Sequence, residues 1–316
     1  MTDLAKKART LLEAQNRSWT MLRENRAQLA AAESRMVDFG KFAIRVQYNP
    51  GRLASSMAQL DEHSIRKREC FLCDSNRPAE QATLPVGDGF KLMCNPFPIL
   101  PEHFTIVNEK HQPQRILGSF PMMLDLAARF SQEFVVFYNG PQCGASAPDH
   151  LHLQAGTRGV MRVDIDCLKV ARPLTPEISV GENYLRRFFM FESNRRERMI
   201  ELFDGLYRAF HALQPKLAEP LMNVICTYEN KRWRLIVFPR IKHRPSFYFE
   251  PEHLRLLLSP GTVDMGGLVI LPLEKDYLKL TREHLAQMYE EVTLPAREFE
   301  KICRLLDGEP GPAGRR

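Results

Sequence analysis

Apolar residues recur at two periods along the chain, and the change from one to the other marks its elements. Leu4, Leu11, Leu12, Trp19, Leu22 and Leu29 lie among Ala, Glu, Arg and Gln over residues 1 to about 37, which predicts one or two helices docked by a single apolar stripe. Tyr48 to Gly51 reads as a turn. Phe90 to Met93 and His103 to Val107 read as strands. Pro121 suits the first turn of a helix carrying Met123, Leu126, Ala127 and Phe130 at helical spacing. Phe134 to Tyr138, apolar throughout with aromatic and β-branched residues, predicts a buried strand. A loop with Gly140, Pro141, Gly144 and Pro148 follows, and then a strand from His150 to Ala155.

In the second half, Asn194 with Glu197 three residues on predicts a capping box, and Phe203, Leu206, Tyr207 and Phe210 share one helical face that ends before Pro215. Phe188, Phe189 and Phe191 read as packing residues. Trp233 to Phe238 reads as a strand stopped by Pro239, and Gly267 to Leu271 as another. Leu285, Met288, Tyr289 and Val292 predict a late helix, and the closing GEPGPAGRR a disordered tail. The pattern is that of an α+β protein with two halves of mixed content.

Composition narrows the chemistry. Of 316 residues 44% are hydrophobic and 26% charged, as expected of one or two globular domains. No stretch approaches the ~18 consecutive apolar residues of a membrane span. Seven cysteines is an odd number, and only Cys70 and Cys73 have a telling spacing, so a disulfide framework is not expected and a reducing, cytoplasmic location is. The formal net charge of +6 suits an anionic substrate. The basic residues are scattered, and the Arg195, Arg196, Arg198 cluster reads as a solvated helix face, so neither a membrane nor a nucleic-acid partner is expected. Arg52, Arg77, Arg158, Arg240 and Lys242 are the residues that could neutralise phosphates.

The most informative segment is His150-Leu151-His152-Leu153-Gln154. On a strand, period two places both histidines and the glutamine on one face and both leucines on the other. A neutral imidazole is a competent nucleophile toward phosphorus and can divide a difficult transfer into two steps through a phosphoramidate. Gln154 adds an uncharged donor for a phosphate oxygen, and the preceding glycine loop can offer backbone N–H groups.

The run YNGPQCGASAPDHLHLQ, residues 138 to 154, resembles the active-site segment of the diadenosine polyphosphate phosphorylases and galactose-1-phosphate uridylyltransferase, and is similar to the HLHxQ segment of GDP-hexose phosphorylases such as plant GDP-L-galactose phosphorylase. These form the transferase branch of the histidine-triad superfamily. The resemblance implies that His152 is the nucleophile and that Gln154, standing where hydrolases have a third histidine, marks transfer. It also implies substrate contacts at Asn139, Gly144 and Ser146, although Ser146 stands one residue farther from His150 than is usual. Residues 95 to 111 look like the family's strand pair, with Asn95 and Phe97 near the base or ribose. Pro239, Arg240 and Lys242 correspond to a Pro-Arg-x-Lys sequence that contacts substrate, and Gly266 and Gly267 to a Gly-Gly stretch. A bacterial group without assigned function is similar through Gln47 to Arg52, Cys70 to Cys73 and Asn76 to Gln81.

The Cys70/Cys73 pair supplies half of a tetrahedral zinc site. By resemblance to galactose-1-phosphate uridylyltransferase, His111 and His150 complete it, with His103 competing for the third place, and the zinc is structural.

These readings add up to an α+β fold with a histidine-triad-like antiparallel sheet, flanking helices and two related halves, of which only the first holds the catalytic strand. The expected units are an N-terminal helical extension (1–43), a catalytic half (44–170), a C-terminal α+β half (171–306) and a tail (307–316). The expected activity is transfer of a nucleoside monophosphate from a dinucleoside polyphosphate or nucleoside diphosphate hexose, through nucleotidyl-His152, to phosphate or a sugar phosphate. A hydrolase of the same fold and a non-catalytic, zinc-stabilised nucleotide or RNA binder are the rival readings. Base, sugar and oligomeric state are left open.

Overall fold

The computed structural model describes residues 2–57 and 62–308; most of the expected tail lies outside them. Thirteen strands occur among the described residues: β1 Ser34–Asp38, β2 Ala43–Tyr48, β3 Thr83–Gly87, β4 Phe90–Cys94, β5 His103–Asn108, β6 Phe134–Asn139, β7 His152–Thr157, β8 Ala171–Thr175, β9 Ile178–Gly181, β10 Phe188–Ser193, β11 Met222–Glu229, β12 Arg232–Pro239 and β13 Leu268–Leu271. Ten of them form one sheet in the order β3-β4-β5-β7-β6-β11-β12-β10-β9-β8, with every neighbouring pair antiparallel.

That order contains a repeat. Strands β3, β4 and β5 form a meander, the helix Phe120–Phe130 follows, and β7 then inserts between β5 and β6. In the second half β8, β9 and β10 form a meander, the helix Arg196–Leu213 follows, and β12 inserts between β10 and β11. The two halves therefore share one topology, and they join through equivalent strands, β6 and β11, with Asn139 opposite Asn223. On the face where β7 carries His152 and Gln154, β12 carries the buried Ile236 and Phe238. The polar pattern of His152 and Gln154 is thus present in one half and replaced by core in the other.

Strand alternation divides the interior in two. Phe104, Ile106, Phe134, Val136, Tyr138, Leu153 and Ala155 face a helical layer, in which Phe120–Phe130, Arg196–Leu213, Ala296–Leu306 and the N-terminal helix Asp3–Ser18 bury their apolar stripes. At 20–33 cal/mol per Å² of apolar area, this shared layer is the main adhesive of the fold. The opposite face meets the small sheet β1-β2-β13, in which β13 runs parallel to β2. The N-terminal helices are bound to the body through polar contacts as well: Gln15 Nε2 donates to the Glu80 carbonyl at 2.6 Å, and Asn25 Nδ2 to the Pro96 carbonyl at 2.7 Å. The β11–β12 hairpin closes through Asn230 and Lys231, both at positive φ, the backbone of a two-residue primed turn whose twist matches the strands.

Two local expectations are corrected. The helix Arg196–Leu213 begins without a side-chain cap, because Asn194 directly follows the end of β10 and the first turn is reached through Arg195, whose N–H goes to Ser193 Oγ. The strand expected from His150 begins at His152, since the His150 N–H turns back to the Ala147 carbonyl. Among the described residues, no helix is long and apolar enough to cross a membrane.

Gly181 pairs with Phe188 across β9 and β10, and a Cβ there would stand inside the Phe188 ring. Gly181→Ala should cost about 1–3 kcal/mol through overpacking, read as a lower denaturant midpoint with an unchanged slope. An unchanged midpoint would mean that the Phe188 ring has room to move.

Candidate active site

A cavity of about 750 Å³ opens on the sheet face that carries β4, β5, β6 and β7. His152, Gln154, Asn139, Gly144, Ser146, Asn95 and Phe97 all line it, and Gly261 and Thr262 enter from the second half. Trp19 and Met21 of the N-terminal segment also reach it.

His152 is 4% exposed, and hydrogen bonding assigns its tautomer. Nδ1 lies 2.8 Å from the His150 carbonyl oxygen, an acceptor only, so Nδ1 carries the proton and Nε2 keeps its lone pair. Burial pushes the imidazole pKa down to about 4, which keeps the ring neutral near pH 7. A histidine held in this way presents an uncharged nucleophilic nitrogen.

Strands β6 and β7 pair only as far as Phe137 opposite Gln154; beyond that the glycine loop separates them. Gln114 spans the gap. Its Oε1 accepts from the His152 N–H at 2.8 Å, and its Nε2 lies within donating distance of the Asn139 carbonyl at 3.0 Å and the His152 carbonyl at 2.9 Å. One buried amide thus does the work of the missing ladder at the residue whose position matters most.

Gln154 is oriented by His103. The Ile99 N–H donates to His103 Nδ1 at 3.2 Å, so the ring proton sits on Nε2 and is donated to Gln154 Oε1 at 2.8 Å. With its oxygen engaged, the Gln154 carboxamide has its NH₂ donors left for a ligand. His103 is buried, stacks on Phe137 with ring centroids 5.9 Å apart, and burial lowers its pKa to about 4. It therefore orients Gln154 and takes no part in the sulfur cluster, which answers the competition for the third ligand place.

Asn139 is held from three directions: Thr262 N–H at 2.7 Å, Thr262 Oγ1 at 2.8 Å and Asn223 Nδ2 at 3.2 Å all reach its Oδ1. Gly144 has φ +98°, and a Cβ there would lie 2.5 Å from the Gly261 Cα, so the loop can lie against the second half only because this residue is glycine. Asn95 Oδ1 accepts from the Phe97 N–H at 3.0 Å, an arrangement that turns the Phe97 ring, 45% exposed, over the cavity rim.

Arg240 and Lys242 are corrected. Arg240 is fully buried outside the cavity and donates to Asn223 Oδ1 and to the carbonyls of Pro260, Lys242, His243 and Val292. It supports Asn223, and through it Asn139, and does not reach a ligand. Lys242 points outward, 3.5 Å from Glu291. A basic residue in a motif can face either way, and here backbone carbonyls left without partners by the irregular segment after β12 claim the guanidinium. Of the five basic residues singled out from the sequence, Arg52 is the one that lines the cavity, its Nη2 2.8 Å from Asp264 Oδ2.

Beside His152, Cys70, Cys73, His111 and His150 bring four potential ligand atoms within 4.8 Å of one another. His150 Nδ1 lies 3.3 Å from Cys70 Sγ and 3.6 Å from Cys73 Sγ, and His111 Nδ1 3.3 Å from Cys73 Sγ. His150 Nε2 donates to the Asn108 carbonyl at 2.7 Å, so Nδ1 is the nitrogen left to face the sulfurs. Burial and the adjacent Cys70 push the Cys73 thiol up to about 11, a cost that a cation between the sulfurs would reverse. The cluster could hold a metal ion.

The antiparallel sheet with its flanking helices is a fold shared with proteins of known structure. Residues 11–157 match the family described as a domain of unknown function (DUF4922), and residues 173–307 the GDPGP1-like C-terminal domain. The chain is 33% identical over 92 residues to protein APA1 of Saccharomyces cerevisiae, a match covering 25% of this chain and 29% of that protein's length. The solved yeast Ap4A phosphorylase Apa2 shares the fold, with a TM-score of 0.66 and 18% identity over 93% of this chain and 98% of that one. Apa2 in complex with Ap4A aligns with a TM-score of 0.59 and 18% identity, covering 87% of this chain and 96% of that one.

Gln114→Ala should cost about 2–4 kcal/mol, since it leaves the His152 N–H and two buried carbonyls without partners; chemical denaturation that showed no loss would mean water replaces the amide. His103 gives a pH effect of known sign. Between pH 6.5 and about 4 the unfolded chain binds a proton on this residue that the native chain does not. Stability should therefore fall as pH drops through that window, by on the order of 3 kcal/mol at its end. Denaturation curves of His103→Phe should show a correspondingly shallower acid slope than the parent.

Proposed function

We propose that the protein is a nucleotidyl-transferring phosphorylase that uses His152 as a covalent nucleophile. The observation that carries this reading is the tautomer of His152: Nδ1–H is tied to a backbone carbonyl and a neutral Nε2 faces a large cavity beside an amide donor. The folds solved with AMP and with Ap4A support a nucleotide as the substrate class.

In the first step the Nε2 lone pair attacks the α-phosphorus of a dinucleoside polyphosphate or nucleoside diphosphate hexose. The bond to the bridging oxygen breaks, and the leaving phosphate compound takes that electron pair. In the second step an oxygen of inorganic phosphate or a sugar phosphate forms the new P–O bond, the P–N bond breaks and its pair returns to Nε2. Nδ1 keeps its proton throughout, its charge in the intermediate balanced by the His150 carbonyl dipole. Gln154 Nε2 and the loop amides around Gly144 stabilise charge on the equatorial oxygens, where preorganised dipoles have the greatest effect. Phe97 and Asn95 receive the base or ribose, and Ser146 lies along the phosphates.

Residues 44–170 then form the catalytic half, residues 171–306 brace the loop through Thr262 and Arg240, and the N-terminal residues 1–43 add Trp19 and Met21 to the cavity wall. Zinc suits Cys70, Cys73, His111 and His150, since two thiolates and two imidazoles are a tetrahedral set with no open position. Bound there it would be structural, fixing the segment that presents His152. The free cysteines suit a reducing, cytoplasmic location.

Intact-protein mass spectrometry after brief incubation with dinucleoside polyphosphates and nucleoside diphosphate hexoses tests the mechanism. The parent should gain one nucleoside monophosphate, lost again on addition of phosphate, and His152→Ala should gain none. An adduct on the variant, or none on the parent with any nucleotide shown to bind, would overturn it.

A further inference from the structure

Arg68 lies two residues before Cys70 and places its guanidinium 5.2 Å from the centre of the Phe71 ring, at the cavity wall. Nη2 donates to Asp149 Oδ1 at 2.5 Å and to the Ser146 carbonyl at 3.4 Å. Nη1 is buried and meets no acceptor among the described residues. The Arg68 side chain is 26% exposed and shares its cavity with His152, Gln154 and Arg52, so the accessible part of its guanidinium is offered to an anion bound there.

Asp149 explains why the guanidinium stands there. Its second oxygen, Oδ2, is 3.6 Å from His111 Nε2, the ring nitrogen turned away from Cys73. The carboxylate therefore spans a member of the Cys/His cluster on one side and the cavity cation on the other. The Ser146 carbonyl, on the loop before the nucleophile, is the third point of attachment.

We propose that Arg68 binds the acceptor phosphate, and that Asp149 is the positioning residue that holds it there against the metal cluster. The inference deepens the phosphorylase reading and rests on it. In a double displacement at one phosphorus, the group that leaves in the first step and the group that enters in the second both stand opposite Nε2, so one anion subsite serves both. In this assignment Arg68 serves the leaving and entering group, and Gln154 the transferred phosphate. A guanidinium matches a phosphate dianion by charge and by paired donors, and gives water no comparable advantage. The subsite therefore selects phosphate over water as the acceptor, which separates phosphorolysis from hydrolysis in one fold.

Calorimetric titration of the zinc-loaded full chain with inorganic phosphate tests this without turnover. Arg68→Gln should weaken phosphate binding by about ten- to a hundredfold, Arg68→Lys by less, and both should retain their metal against a chelator as the parent does. Asp149→Asn should weaken phosphate binding several-fold and release metal to the chelator faster, because binding energies linked through one residue change together. In turnover, Arg68→Gln should raise the KM for phosphate and shift products toward the free nucleoside monophosphate. Unchanged phosphate affinity in Arg68→Gln, or a parent that binds no phosphate, would overturn the Arg68 assignment. Metal retention unchanged in Asp149→Asn would overturn the role given to Asp149. The nucleotidyl adduct on His152 is a separate readout: phosphate binding lost with Arg68 in a protein that never forms the adduct would support the subsite and defeat the phosphorylase reading.

Discussion

The site depends on one amide. Where β6 and β7 part, the sheet would leave the backbone of His152 unpaired in the interior, and Gln114 satisfies it with hydrogen bonds to both strands. The divergence is needed, because a continuous ladder would leave no room for the glycine loop between Asn139 and His152. Gln114 reconciles an open mouth at the end of the sheet with a rigidly held His152 on its central strand. The same backbone then accepts, at the His150 carbonyl, the Nδ1 proton that leaves Nε2 of His152 free.

Two further constraints act on that segment from opposite sides. From the second half, Thr262 and Asn223 hold Asn139, with Arg240 buried behind Asn223. From the first half, the Cys70, Cys73, His111 and His150 cluster holds the chain two residues before His152. His152 is thus anchored by its backbone, the loop ahead of it by a seam between the halves, and His150 by sulfur. Such rigidity suits the double displacement proposed for His152, in which the same nitrogen would stand in line with two different groups in turn.

The doubled topology shows how one scaffold can serve two roles. The two halves share a strand order and join through β6 and β11, yet only β7 carries polar side chains on the site face, while β12 carries Ile236 and Phe238 there. The second half has become a wall. Its polar residues at the seam face the loop of the first half, and its own equivalent of the cavity is filled by core.

Much of this was legible in the residues. The central strands and their helices follow from period two and period 3.6, and HLHLQ with its glycine loop contains the two cavity-lining residues His152 and Gln154 and one histidine of the Cys/His cluster. The four Cys/His positions also meet as expected. Arg240 and Lys242 were misread because a motif gives identity and spacing but no direction, and the direction depends on which carbonyls lack partners after β12. His103 and Gln114 carried no sequence signal for their roles: each acts across the fold, through strand register in one case and strand divergence in the other. The sequence by itself determined which groups can do the chemistry, since that is a property of side chains and of local period. Which nitrogen of His152 is free, which way the Gln154 amide turns and which arginines meet the cavity are legible only in the folded chain, because each depends on a hydrogen-bond partner or a cavity wall that strand pairing and loop placement bring into position.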